Sequence, residues 1–217
     1  MSTDDSASMN QPHLYLASTS PRRRDLLALL RVSYQCVRIS VDETAKAGEM
    51  PLAYVRRLAL AKAHAGCRQP GVGTLPVLGA DTAVVLGRRI FGKPADREDG
   101  LAMLAALSGR EHRVLTAVAV VRQDQARVVV SESRVTMAEM SPAERAAYWD
   151  TGEPADKAGG YAVQGLGAVF ISRIRGSHSG IMGLPLRETA LLLQSFSVPV
   201  FPWVHPLEVG AKTAASR

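Results

Sequence analysis

HRVLTAVAVVR (112–122) and ARVVVSESRVTMAEM (126–140) are two runs of strand-forming residues joined by a short polar connection, QDQ. Valine and threonine at this density suit a pleated surface, and so short a link turns the chain back on itself. The pair predicts a long antiparallel hairpin. No other stretch constrains the fold as much, because a chain containing it is not a pure βαβ array. The remaining segments alternate between strand and helix patterns. The expected class is therefore α/β, with α+β character, around a mixed sheet.

Local chemistry sets the other elements. LYLAS (14–18) reads as a short buried strand. Ser20 then suits a helix cap and Pro21 its first position, with Leu26, Leu27, Leu29 and Leu30 as the apolar stripe through 22–31. YQCVRIS (34–40) alternates like a strand. Pro51 opens a second helix with Tyr54, Leu58, Ala61 and Ala65 at helical spacing. PVLGADTAVVLG (76–87) holds two apolar runs with a polar Gly-Ala-Asp-Thr break, followed by RRIFGKP as a turn and short strand. DREDGLAMLAALSG is an amphipathic helix closed by Gly109. SPAERAAYWDTG is a capped helix, AVFISRIRG a strand, and LPLRETALLLQSF the last helix. One domain is expected over 13–205, between a disordered tail at 1–12 and a loosely ordered one at 206–217.

Charge and composition narrow the function. A net charge of +6 permits phosphate or nucleic-acid partners. The basic residues are spread out, however, and the only dense run is Arg22 to Arg24. Aromatics are 5% of the chain, too few for a basic face interleaved with stacking rings, so no nucleic-acid partner is expected. Cys36 and Cys67 lie far apart and in no ligand motif, which argues against a zinc site or disulfide framework and fits a reducing compartment. The polar, acidic start has no apolar signal core, and no apolar run reaches the ~20 residues of a membrane span. A soluble cytoplasmic protein without a membrane partner is expected.

Several short stretches can carry chemistry. In Ser18-Thr19-Ser20-Pro21-Arg22-Arg23 a strand runs into a helix start, whose unpaired N–H groups, hydroxyls and arginines form a ready phosphate site. The plainer alternative is a capped helix with exposed arginines. Asp81 follows an apolar strand, where a carboxylate can bind metal or activate water; a turn aspartate is the alternative. Lys62, on the helix LALAKAHAG, and Lys93, in FGKP, can offset phosphate charge, although Lys62 can equally snorkel. Glu43 in VDET is a second carboxylate, with Asp42 as its competitor. EPADKAGGYAVQGLGAVFI (153–171) is rich in glycine, and Gln164 within it can read a base edge. GSHSGIMGLPL (176–186) is a further anion or packing site. His64, His112 and His178 are not spaced as a metal triad, and the GxSxG, Walker A and GxGxxG patterns are absent.

Taken in order, ASTSPRR, LALAKA, GADT, GKP, LSGREHRVLTAVAV, DKAGGYAVQGLG and GSHSGIMGLPL resemble the Maf family of nucleoside triphosphate pyrophosphatases, from about Leu14 to Leu193. The resemblance implies an elongated two-lobed fold around a mixed sheet, related to inosine triphosphate pyrophosphatases, with the nucleotide in a cleft between lobes. It implies cleavage between the α and β phosphates with a divalent metal, Mg or Mn, and a homodimer. It also implies that Asp81 is the catalytic carboxylate and Glu43 its support, both on the metal. Lys62 and Lys93 are the family's two lysines and Arg22 its arginine, with Ser18, Ser20 and Arg23 completing the substrate turn. Arg22, Thr82 and Gln164 resemble the branch acting on dTTP and UTP. Thr19 and His178 depart from the residues common at their positions. The resemblance leaves two alternatives, a 7-methyl-GTP pyrophosphatase and a binding protein that arrests septation.

Overall fold

The computed structural model describes residues 11–201, so the expectations for the two tails fall almost wholly outside the described residues. The strands are β1 (Leu14–Ala17), β2 (Tyr34–Cys36), β3 (Val77–Leu86), β4 (Arg89–Phe91), β5 (Glu111–Arg122), β6 (Gln125–Met137) and β7 (Ile171–Arg175). The helices are α1 (Pro21–Leu29), α2 (Pro51–Cys67), α3 (Arg97–Leu107), α4 (Pro142–Asp150), α5 (His178–Met182) and α6 (Leu186–Gln194). All seven strands form one mixed sheet in the order β2-β1-β3-β5-β6-β7, with β4 added on β3. β1 runs parallel to β2 and β3, and every other pair is antiparallel.

The predicted hairpin is the spine of this sheet. It pairs without interruption from Arg122↔Gln125 to Glu111↔Thr136, so the turn itself is only Gln123 and Asp124. β5 also pairs along most of β3, which buries a continuous valine, leucine and alanine surface at the centre of the molecule.

α2 covers one face of the sheet. Its Val55, Ala59 and Ala63 pack on Ala83, Val85, Leu115 and Ala117. The opposite face carries two separate cores. Leu26 and Leu27 of α1 join Leu192 and Leu193 of α6 over Leu78 and Val118. Met103, Leu104 and Leu107 of α3 join Tyr148 of α4 over Val84, Val114 and Val135. The capping box of α4, in which Ser141 and Glu144 satisfy each other's backbone N–H, fixes where that helix begins.

Several local expectations change. GADT does not break the strand: β3 is continuous from Val77 to Leu86. Gly79 is there because α2 crosses directly above it. A Cβ would sit 2.4 Å from the Ala59 carbonyl oxygen and 2.5 Å from the Ala63 amide nitrogen. β2 stops at Cys36, and the chain beyond lifts away to line the cavity described below. β6 ends at Met137, and Ala168–Phe170 belong to a 3-10 turn, so β7 starts at Ile171. In α1 the buried stripe is Leu26 and Leu27, with Leu30 just past its end, whereas Leu29 is 65% exposed. Ser20 occupies the cap position, but its hydroxyl makes no cap bond; its N–H instead donates to the Ser18 hydroxyl at 3.2 Å.

Candidate active site

On its outer edge β3 is paired at both ends but not in the middle. β1 pairs with Val77–Gly79 and then turns away into α1, while β4 begins to pair only at Val84. Residues 80–83 therefore have no strand partner on that side. A cavity of about 580 Å³ opens at this gap. Successive strand residues point to opposite faces, so Asp81 faces α2 and Thr82 faces the other side. The gap allows both to reach the same space, and this is why polar residues occupy the middle of an otherwise apolar strand. Asp81 is thus a mid-strand carboxylate, not one at a strand end.

The ten residues to which the resemblance gives a role all line this one cavity: Ser18, Ser20, Arg22, Arg23, Glu43, Lys62, Asp81, Thr82, Lys93 and Gln164. On the α2 face, the Lys62 ammonium stands between two carboxylates, 2.7 Å from Asp81 Oδ1 and 2.8 Å from Glu43 Oε1. Lys62 does not snorkel to solvent; it is 8% exposed and Asp81 is 5% exposed. Burial raises the Asp81 pKa. Lys62, by charge and hydrogen bond, and then Arg23 pull it back, and Glu43 adds to the rise; the net result stays above the ordinary carboxylate value.

Glu43 is set in place by α2. Tyr54 donates its hydroxyl to the Glu43 carbonyl at 3.0 Å, and Arg57 holds Thr44 by its carbonyl and Glu49 by a two-point ion pair. Asp42 is not a lining residue; it accepts the Thr44 N–H at 2.9 Å. Of the two candidate carboxylates, Glu43 is therefore the one that lines the cavity. Tyr54 is a lining residue that the sequence did not single out. Its signal was present, since Tyr54, Leu58 and Lys62 recur every four residues on one helix face. Burial, then Asp81 and Glu43, push its phenol up to about 12.

The Thr82 face is built from arginine, hydroxyls and carbonyls. Arg23 Nε donates to the Gly183 carbonyl at 2.9 Å, Nη2 to the Thr82 hydroxyl at 3.2 Å, and Nη1 lies 3.5 Å from the Ser18 hydroxyl. Burial lowers the Arg23 pKa against the pull of Asp81. Thr116 donates to the Gly180 carbonyl at 2.7 Å, so the 2.9 Å contact between Thr116 and Thr82 is a bond that Thr82 donates. The one hydroxyl proton of Thr82 is thereby used inside the protein. GSHSGIMG supplies the carbonyls that anchor this network, rather than N–H groups aimed at an anion.

The three successive arginines separate. Arg23 is the one tied into the cavity wall. Arg22 sits at the mouth, 3.5 Å from Asp156, and Arg24 is exposed. Lys93 and Gln164 are both exposed lining residues. Asp156, Lys157 and Tyr161 also line the cavity; they lie in the glycine-rich stretch flagged above but were not individually singled out. His64 and His178 are exposed. His112 is buried and lies 2.7 Å from the Tyr161 hydroxyl, and desolvation lowers its pKa to about 4.

Among the described residues no group of three or more histidines, cysteines or carboxylates is placed to hold a metal. Glu43 and Asp81 offer two carboxylates, both drawn to Lys62. Carboxylate oxygens are the donors a hard divalent ion takes from protein, and these two are the pair that this face offers.

The model of the Maf-like protein family matches residues 13–196. A dTTP/UTP pyrophosphatase of Saccharophagus degradans is 51% identical over 201 residues, covering 91% of this chain and 95% of the relative. One from Alkalilimnicola ehrlichii is 52% identical over 192 residues, with 87% and 95% covered. One from Bordetella parapertussis is 47% identical over 205 residues, with 91% and 99% covered. Among solved structures, the Staphylococcus aureus Ham1 protein aligns with a TM-score of 0.46 at 14% identity, over 85% of this chain and 97% of that one.

Proposed function

The chain belongs to the Maf family, and we propose that it is a nucleoside triphosphate pyrophosphatase that hydrolyses dTTP and UTP to the monophosphate and pyrophosphate. The observation that carries this reading is the Asp81–Lys62–Glu43 cluster facing the same cavity as Arg22, Arg23 and Lys93. A triphosphate brings about four negative charges, and these cations together with the free N–H groups at the start of α1 offset them.

In the reaction the oxygen of a water bonds to phosphorus, the bond from the α-phosphorus to the bridging oxygen breaks, and pyrophosphate leaves. Asp81 takes the proton of that water. Its raised pKa makes it a better base than an ordinary carboxylate, and Lys62 offsets part of that rise. Lys93 and Arg22 stabilise charge that builds on the phosphate oxygens. Glu43 and Asp81 would hold Mg²⁺ or Mn²⁺, which when bound neutralises phosphate charge and favours ionised water. Gln164 meets the pyrimidine edge with one donor and one acceptor.

The same reading places the protein in the cytoplasm. Cys36 and Cys67 are free, as suits a reducing compartment, and no described helix is long and apolar enough to cross a membrane. It also includes a homodimer, which sedimentation would test. The deciding experiment is a nucleotide panel assayed for pyrophosphate with and without added Mg²⁺ or Mn²⁺. Release from dTTP and UTP with dependence on metal is expected. No release from either overturns the assignment, and preference for 7-methyl-GTP overturns the substrate class.

A further inference from the structure

Gln164 sits in a segment that makes no regular strand or helix, so something other than secondary structure must fix it. Two side chains do so from behind. The Glu153 carboxylate accepts the N–H of Leu166 on one oxygen and that of Gly167 on the other, each at 2.9 Å. Tyr148, at the end of α4, donates its hydroxyl to Glu153 at 2.6 Å and accepts the Ala162 N–H at 3.1 Å. The chain is thus pinned on both sides of Gln164, at 162 and at 166–167.

The glycines in this segment are there to admit that clamp. A Cβ on Gly165 would lie 2.0 Å from a Glu153 carboxylate oxygen, and one on Gly167 would lie 2.4 Å from the Tyr148 hydroxyl. Tyr148 is 3% exposed and packs in the α3–α4 core, so the clamp is rigid at its base. Burial works to raise the Glu153 pKa, but the bonds from Tyr148, Gly167 and Leu166 outweigh it, and the carboxylate stays ionised below its ordinary range. Neither Glu153 nor Tyr148 lines the cavity.

We propose that Glu153 and Tyr148 are positioning residues for pyrimidine selectivity, acting through the backbone on either side of Gln164. The proposal rests on the reading that Gln164 meets the base. Glutamate is needed because two neighbouring N–H groups require two acceptor oxygens. Glutamine offers one and turns an N–H₂ donor toward the other N–H.

The test compares Glu153→Gln, Tyr148→Phe, Gln164→Ala and the Glu153→Gln/Gln164→Ala double variant. For each, KM and kcat are measured for dTTP and UTP, with the Ki of inorganic tripolyphosphate as a competitor. Gln164→Ala and Glu153→Gln are each expected to raise both KM values about tenfold and to leave the tripolyphosphate Ki within about twofold. The double variant should be no worse than the single ones, because both remove the same contact. Tyr148→Phe keeps the ring in the core and should give a smaller change of the same kind, about threefold. Thermal melting shows whether each variant is folded. If Glu153→Gln is unfolded, Tyr148→Phe decides.

Additive losses, or a rise in the tripolyphosphate Ki matching the rise in KM, overturn the proposal. If Gln164→Ala alone leaves KM for dTTP and UTP unchanged, base reading by Gln164 fails and the clamp's role falls with it. That outcome is distinct from one in which only the clamp variants are silent.

Discussion

Asp81 and Thr82 are neighbours in the chain, yet they belong to two differently built surroundings. On the Asp81 face, α2 places a buried ammonium between the buried carboxylate of Asp81 and the exposed one of Glu43, and ionisation is the property being adjusted. On the Thr82 face the carboxylates are replaced by hydroxyls and carbonyls, and what is adjusted is the direction of the Arg23 guanidinium. One face tunes whether a group carries a proton; the other tunes where a permanent cation points. A single strand can serve both because its alternation separates the side chains and the gap between β1 and β4 lets them meet again.

The strongest way to break this contrast is at Asp81. Asp81→Asn retains size and hydrogen bonding and removes the base, so kcat should fall on the order of 10²-fold or more with the fold intact. Pyrophosphate release together with circular dichroism checks it, and near-normal turnover would remove Asp81 from the chemistry. Lys62→Met comes next, with a loss on the order of tenfold near neutral pH. Lys62 lowers the Asp81 pKa, so its removal lets burial raise that pKa further. The sign is definite: the acidic limb of kcat/KM moves to higher pH. Breaking one partner of a buried pair costs about 3–5 kcal/mol of stability, and adding Asp81→Asn should recover part of it. An unmoved acidic limb would mean that Asp81 is not the titrating group.

These two residues also show where sequence reading succeeds and where it stops. The hairpin was legible because two β-rich runs and a short turn are local facts. The cavity residues were legible as a set through the ordered family resemblance, whereas taken singly a lysine among alanines can snorkel and an aspartate in GADT can sit in a turn. The continuity of β3 was not legible. Whether GADT breaks a strand depends on where β1 and β4 stop pairing, which no residue in GADT reports. Which of Arg22 and Arg23 makes the local bonds, to Gly183 and Thr82, was not legible from their order in the chain. Adjacent helical residues differ by about 100°, and which one faces β3 is set by how α1 docks on a distant core. The Glu153 clamp was invisible for a different reason, because what it and Tyr148 hold are backbone N–H groups with no residue type to recognise.

Thr82→Val tests the other face, with a smaller effect. Valine keeps the shape and removes the hydroxyl, leaving Arg23 Nη2 without that acceptor and Thr116 without that donor. An unmet buried polar group costs about 1–3 kcal/mol, and the low end of that range, about fivefold, is expected in kcat/KM. Because the bond lost is the one that holds Arg23 rather than one to the base, the loss should be equal for dTTP, UTP and purine nucleotides. A loss confined to dTTP and UTP would instead restore Thr82 as a contact to the base, as the sequence resemblance suggested.

The smallest effect is expected at the cavity mouth, where neither face dominates. Arg22 lies 3.5 Å from Asp156, and their side chains are 26% and 62% exposed. An exposed pair of this kind contributes about 0.2–1 kcal/mol. The pair does hold Arg22 toward the glycine-rich segment and places a negative charge where a triphosphate must enter. Asp156→Asn removes that charge and frees Arg22, so KM for dTTP should fall about two- to threefold at low salt, with kcat unchanged. The benefit should fade as ionic strength rises toward ~1 M, where the Debye length is only about 3 Å. A KM that rises in Asp156→Asn would show that the carboxylate holds substrate or its counter-ion. The mouth would then belong to the charge-tuning side of the site, not to a neutral entrance between the two.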